Sequence, residues 1–161
     1  MGVMLRLSKL ADYATVVLVR LGRYDELVTA AALAQETGVP EPTVAKLLKG
    51  LAGHQLVISH RGARGGYRLA RPLAEVSIAA VIAAVDGPIS ITACCDGREC
   101  EHSALCGLSG QWDMVNDAIL ATLNRITLAD MKGQTDLTSS ARSGLSVGGE
   151  CDAPAIVEPV K

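Results

Sequence analysis

A mainly α fold with a small β-hairpin and a long C-terminal helix is predicted by three features of the sequence. Apolar residues recur at three- and four-residue spacing in separate stretches along the chain. One pair of short strand-like runs, Leu56–His60 and Tyr67–Ala70, flanks a glycine-rich tip. After a cysteine-rich stretch, a sustained helical stripe runs from Trp112 to Ile126.

The elements follow in order. Leu7, Leu10, Tyr13, Ala14, Val17, Leu18 and Leu21 form the stripe of a first helix of about 15 residues, capped by Ser8 and stopping near Gly22. The Ala-rich run Thr29–Thr37 predicts a short second helix that ends at Gly38. Gly38-Val39-Pro40-Glu41-Pro42 is a tight turn into a third helix, whose buried stripe is Val44, Leu47, Leu48 and Leu51. Pro42 falls in its first turn, where a missing N–H costs nothing. The hairpin follows. Ser77 then caps a helix with Ile78, Val81, Ile82 and Val85 on one face, stopping at Asp86-Gly87-Pro88. The long helix starts at about Gly110, with Trp112, Val115, Ile119, Leu123 and Ile126 as its stripe, and Thr127 opens a last short turn. Residues 133–161 are rich in Gly, Ser and Thr, then Pro, and read as a disordered tail.

The chain of 161 residues suits one compact domain plus appendages. It contains no Phe, one Trp and three Tyr, so its core is expected to be aliphatic. No apolar run reaches the roughly 18 residues of a membrane span, and Met1 to Arg6 does not read as a secretory signal. A cytoplasmic location, without membrane contact, is the expectation. The net charge of −2 is unevenly distributed. Residues 1–38 balance. Residues 39–71 carry Lys46, Lys49, Arg61, Arg64, Arg68 and Arg71 against Glu41 alone, and residues 72–161 hold the acidic excess. A basic segment in an acidic chain points to a local polyanion contact.

Helix, short helix, glycine-containing turn, helix and hairpin is the order of a winged helix-turn-helix. A third helix of this kind fits the major groove of double-stranded DNA, offering Pro42, Thr43 and Lys46 from its N-terminal half, with Lys49 placed for the phosphate backbone. Arg61 and Arg64 on the glycine-rich tip suit phosphates or a narrow minor groove.

Cys94, Cys95, Cys100 and Cys106 cluster in one loop, and Cys151 stands alone in the tail. Cytosolic disulfides are uncommon, which favours metal or redox chemistry. Five residues separate Cys94 from Cys100, and five separate Cys100 from Cys106, unlike the closely spaced pairs of most structural zinc sites. Such spread thiolates suit an iron–sulfur cluster; zinc and redox thiols remain open alternatives. His102 and Cys95 are further candidate donors.

The sequence resembles the IscR/NsrR-type iron–sulfur transcription regulators, and within them the SUF-system cluster assembly regulators. The likeness covers roughly residues 4–132. It is carried by residues 5–14, 39–46, 60–69 and 81–88, the three spaced cysteines, Trp112, and Ile126-Thr127-Leu128-Ala129-Asp130. The resemblance implies a homodimer built on the long helix, reading a palindromic operator. It implies Cys94, Cys100 and Cys106 as ligands of a [2Fe–2S] or [4Fe–4S] cluster. Some relatives add a histidine three residues after the third cysteine, where this chain has Ser109. NsrR-type relatives use a first-helix aspartate from the other subunit, and the matching residue is Asp12.

Residues 1–88 are thus expected to read DNA, 89–109 to hold the cluster, and 110–132 to dimerise. The implied function is a repressor of cluster-assembly genes rather than an enzyme: no nucleotide-binding glycine motif, Ser/His/Asp arrangement or CxxC thiol pair is seen. Alternatives are a regulator sensing nitric oxide or iron, or one whose loop binds zinc or acts as a thiol redox switch.

Overall fold

The computed structural model describes residues 7–62, 64–92, 95 and 111–132. Their elements run α1 (Lys9–Leu21), α2 (Ala30–Thr37), α3 (Glu41–Gly53), β1 (Val57–His60), β2 (Gly66–Leu69), a 3-10 turn at Leu73–Glu75, α4 (Ile78–Asp86) and α5 (Gln111–Arg125). Residues 128–132 add a final helical turn.

Local chemistry sets the helix starts. Ser8 Oγ accepts the Ala11 N–H at 3.0 Å, Thr29 Oγ1 that of Ala32 at 3.2 Å, and Ser77 Oγ that of Ala80 at 3.2 Å. Each such cap stabilises its helix by about 1 kcal/mol. Gly38, at φ 72°, ends α2 in the left-handed region that glycine enters without strain.

α1 packs against α2, α3 and α4, and α3 packs against α2, α4 and β1. The core among them is wholly aliphatic, with Leu18, Leu21, Leu33, Leu48, Leu51 and Leu128 its largest fully enclosed side chains. The α3 stripe of Val44, Leu47, Leu48 and Leu51 is buried as expected. The α1 stripe differs at its start: Leu7 and Leu10 are exposed, and Ala11 is fully buried instead. Leu7 precedes the helix, and the inward line runs through Ala11, Ala14, Val17, Leu18 and Leu21.

The hairpin is antiparallel, with Val57 opposite Leu69 and Ser59 opposite Tyr67. The outer edge of β2 is fastened near the tip by Val28, which exchanges two backbone hydrogen bonds with Tyr67, at 2.9 and 2.8 Å.

The α5 stripe is mostly uncovered. Trp112 is 41 % exposed and Val115 40 %, whereas Leu123 reaches the core. Periodicity marked this face correctly as apolar, but within one chain little covers it. After α5 the backbone returns to α4: Ile78 N–H donates to Ile126 O and Leu128 N–H to Val76 O, both at 2.9 Å. No helix among the described residues is long and apolar enough to cross a membrane.

The last turn is capped reciprocally. Asp130 Oδ2 accepts the Thr127 N–H at 2.9 Å and its hydroxyl at 2.7 Å, while Asp130 N–H donates to Thr127 Oγ1 at 3.3 Å. Those two bonds hold the Asp130 carboxyl below its ordinary value. A depressed folded-state pKa gives stability that is present above the unfolded value and lost as pH falls through the folded one. Asp130→Asn is therefore expected to lower the melting temperature slightly at neutral pH. The gap to wild type should close as pH drops below about 4, and melting curves across pH check this.

Candidate nucleic-acid interface and cysteine loop

The buried stripe of α3 fixes what the opposite face presents. At helical spacing, Pro42, Thr43, Lys46, Lys49, Gly50 and Gly53 fall on one outward side. Pro42, Lys46 and Lys49 are exposed and Thr43 is half-buried. Pro40 begins the helix without a side-chain cap, and its carbonyl accepts the N–H groups of Thr43 at 2.9 Å and Val44 at 3.0 Å.

Gly50 lies inside α3 with nothing within 4 Å of the methyl an alanine would add. Gly50→Ala is expected to stabilise the fold by about 1 kcal/mol. Because it shares a face with Lys46, the same change is expected to weaken DNA binding by bulk at the groove. A melt and an anisotropy titration on one sample read both effects.

The hairpin presents Arg61 and Arg64, both exposed. Its tip is narrow because Gly65 N–H donates to Gly62 O at 2.9 Å, and a Cβ on Gly65 would sit 2.5 Å from His60 O. The tip geometry thus depends on glycine at 65.

The ends of α1 and α2 are linked by a cluster the sequence did not announce. Arg20 Nε pairs with Glu36 Oε2 at 2.9 Å, and the Tyr24 hydroxyl donates to Glu36 Oε1. That bond raises the Tyr24 phenol above its ordinary value, with burial and the Glu36 charge adding to it. Arg20 and Glu36 are each in the last turn of their helix, a spacing that no single-helix pattern reveals.

Asp12 is exposed in the first turn of α1, and its carboxylate has no hydrogen bond or ion pair among the described residues. Cys94, Cys100, Cys106, His102 and Ser109 lie outside the described residues. Cys95 is half-buried, with Sγ 3.1 Å from Thr92 Oγ1. Among the described residues no group of three or more His, Cys, Asp or Glu is placed to hold a metal. The flank of the loop is better defined: Ile91 N–H donates to Asn116 Oδ1 at 3.2 Å. Asn116, at 6 % exposure, is the buried polar residue among the described ones, and the sequence reading missed it.

A family model, Rrf2, described as an iron-dependent transcriptional regulator, matches residues 7–134. A Mycobacterium tuberculosis chain named as an HTH-type transcriptional regulator is 33% identical over 132 residues, covering 80% of this chain and 82% of its own. The HTH-type transcriptional regulator IscR of Yersinia pestis is 30% identical over 139 residues, covering 85% of each. Among solved structures, CymR, the global cysteine regulator of B. subtilis, superposes with a TM-score of 0.66 at 26% identity, covering 83% of this chain and 100% of that one. The T. potens IscR structure gives 0.59 at 25% identity, covering 89% and 94%.

Proposed function

The chain belongs to the Rrf2 family of winged-helix transcription regulators, and from that premise we propose that it is an iron–sulfur-sensing repressor of cluster-assembly genes of the SUF type. The observation that carries the DNA-reading part is the α3 face: Lys46 and Lys49 stand exposed opposite a fully buried aliphatic stripe. The members of this family are named transcription regulators, not enzymes.

In this reading Lys46, Thr43 and Pro42 meet base edges, while Lys49, Arg61 and Arg64 meet phosphates. Two copies pair along α5, which is why Trp112, Met114 and Val115 are left uncovered in one chain. Residues 1–88 read DNA, 89–109 sense and 110–132 dimerise.

The donor set fits an iron–sulfur cluster chemically. Cys94, Cys100 and Cys106 offer the thiolates such clusters use, and Asp12 offers an uncommitted carboxylate. The likeness to IscR supports the same reading. A bound cluster would supply sensitivity to oxygen, nitric oxide and iron supply. Asp12 is a harder and weaker donor than a fourth thiolate, so it makes that site easier to empty. A second reading makes the loop a zinc or thiol-redox site, because its thiols suit either chemistry.

One experiment separates them: anaerobic purification with an absorption spectrum and counts of iron and sulfide, on wild type and Cys100→Ala. Broad visible absorption near about 400 nm, as thiolate-bound clusters show, lost in the variant, is the expected result. A colourless wild type after reconstitution with iron and sulfide would leave a DNA-binding regulator without a cluster.

A further inference from the structure

α5 is a helix whose side chains mostly face outward, and Asn116 is its one buried residue. It is buried at 6 % exposure in the middle of the helix, one turn after the exposed Trp112. A buried amide is tolerated only when its polar atoms are satisfied. Asn116 Oδ1 is, by the Ile91 N–H at 3.2 Å. The benefit is mutual, because Ile91 lies in the non-helical run after Gly87, where its N–H has no helix or strand to join.

Ile91 is three residues before Cys94. An extended chain covers at most about 3.3–3.6 Å per residue, so the first loop cysteine is tethered within roughly 11 Å of this bond. At its other end α5 is joined to the start of α4 through Ile78–Ile126 and Leu128–Val76. The segment from Val76 to Ile91 is therefore fastened to α5 at both ends. α4, inside that segment, packs on α1 and on α3.

We propose that Asn116 is a positioning residue: by holding the backbone at Ile91 to the middle of α5, it makes that helix feel any change in the cysteine loop. The proposal rests on reading the loop as the sensor. Asn116 touches neither the cysteines' proposed cargo nor DNA; it acts through Ile91.

The test compares Asn116→Leu, which keeps the branched shape and favours helix but accepts no hydrogen bond, with Asn116→Asp, which keeps an accepting oxygen. Both are made in the full chain. Hydrogen exchange of the Ile91 amide is measured first, with an increase of about tenfold or more expected in the Leu variant and much less in the Asp variant. Operator affinity is then measured before and after reconstitution with iron and sulfide. In the Leu variant the ratio of the two affinities is expected to fall towards one, with the unreconstituted protein binding within about twofold of wild type; Asp is expected to restore the ratio. A wild-type ratio or unchanged Ile91 protection in the Leu variant would overturn the proposal. Should the Leu variant not fold, Asn116→Ala is read by the same criteria. A wild type that takes up no cluster sinks the sensor reading instead. Asn116 is then judged on Ile91 exchange alone, before and after alkylation of the loop thiols.

Discussion

Lys46→Ala is expected to weaken operator binding by about 5- to 150-fold per half-site, because base-edge contacts contribute roughly 1–3 kcal/mol each. In the proposed dimer, two reading heads on one palindrome would compound the loss to about 25-fold or more. Lys46 stands one turn after Pro42 on the exposed face of α3, and its neighbours Leu47 and Leu48 are buried. The change therefore removes a charge without touching the core, and the melting temperature should stay put. Anisotropy titrations over a salt series, on specific and scrambled duplexes, separate its role from that of Lys49. A base reader loses specificity. A phosphate reader weakens all duplexes alike and lowers the salt slope by about one per contact. If Lys46→Ala left both affinity and slope unchanged, α3 would not be the reading helix.

Leu128→Ala is expected to destabilise the whole fold by about 2–5 kcal/mol, the range for fully buried leucines. That corresponds to a melting temperature lower by roughly 10 °C. Leu128 is completely enclosed in the same core as Leu18 and Leu48, although it follows α5 in the chain. A turn that merely trailed the long helix would give a loss too small to detect. Calorimetry of the full chain distinguishes the two. Ala129, which is half-buried beside it, serves as a control through Ala129→Ser.

Much of this architecture was legible in the sequence because it is written in local chemistry. Ser8 and Ser77 cap helices since their hydroxyls reach backbone N–H groups three residues on, and such spacings are visible in a string of letters; Thr29, read as the first residue of α2, is its cap instead. The α3 stripe was legible because four apolar residues at helical spacing have one way to be buried. The exposure of Lys46, Lys49, Arg61 and Arg64 followed from the cost of burying charge.

What stayed hidden is non-local. Val28 joins the hairpin through a single bridge, which has no period. Arg20, Tyr24 and Glu36 meet across two helices. Asn116 reads as a polar surface residue until Ile91 is placed against it. Periodicity found the apolar face of α5, but a period identifies a face, not what covers it. Leu7 and Leu10 extended the α1 pattern beyond the part that packs. The three spaced cysteines lie outside the described residues, so their proposed ligand role awaits the iron and sulfide counts.

The return of the chain after α5 has a consequence for gene control. With Leu128 seated in the core and two backbone bonds joining Val76 and Ile78 to the end of α5, that helix is a beam welded to the reading head. In the proposed dimer, two heads joined through such beams would form a caliper of fixed opening. Such a regulator would tolerate changes in operator letters better than changes in operator spacing. One base pair inserted between half-sites rotates the second by about a tenth of a turn and shifts it by about 3.4 Å, a misfit that a stiff caliper has no joint to absorb.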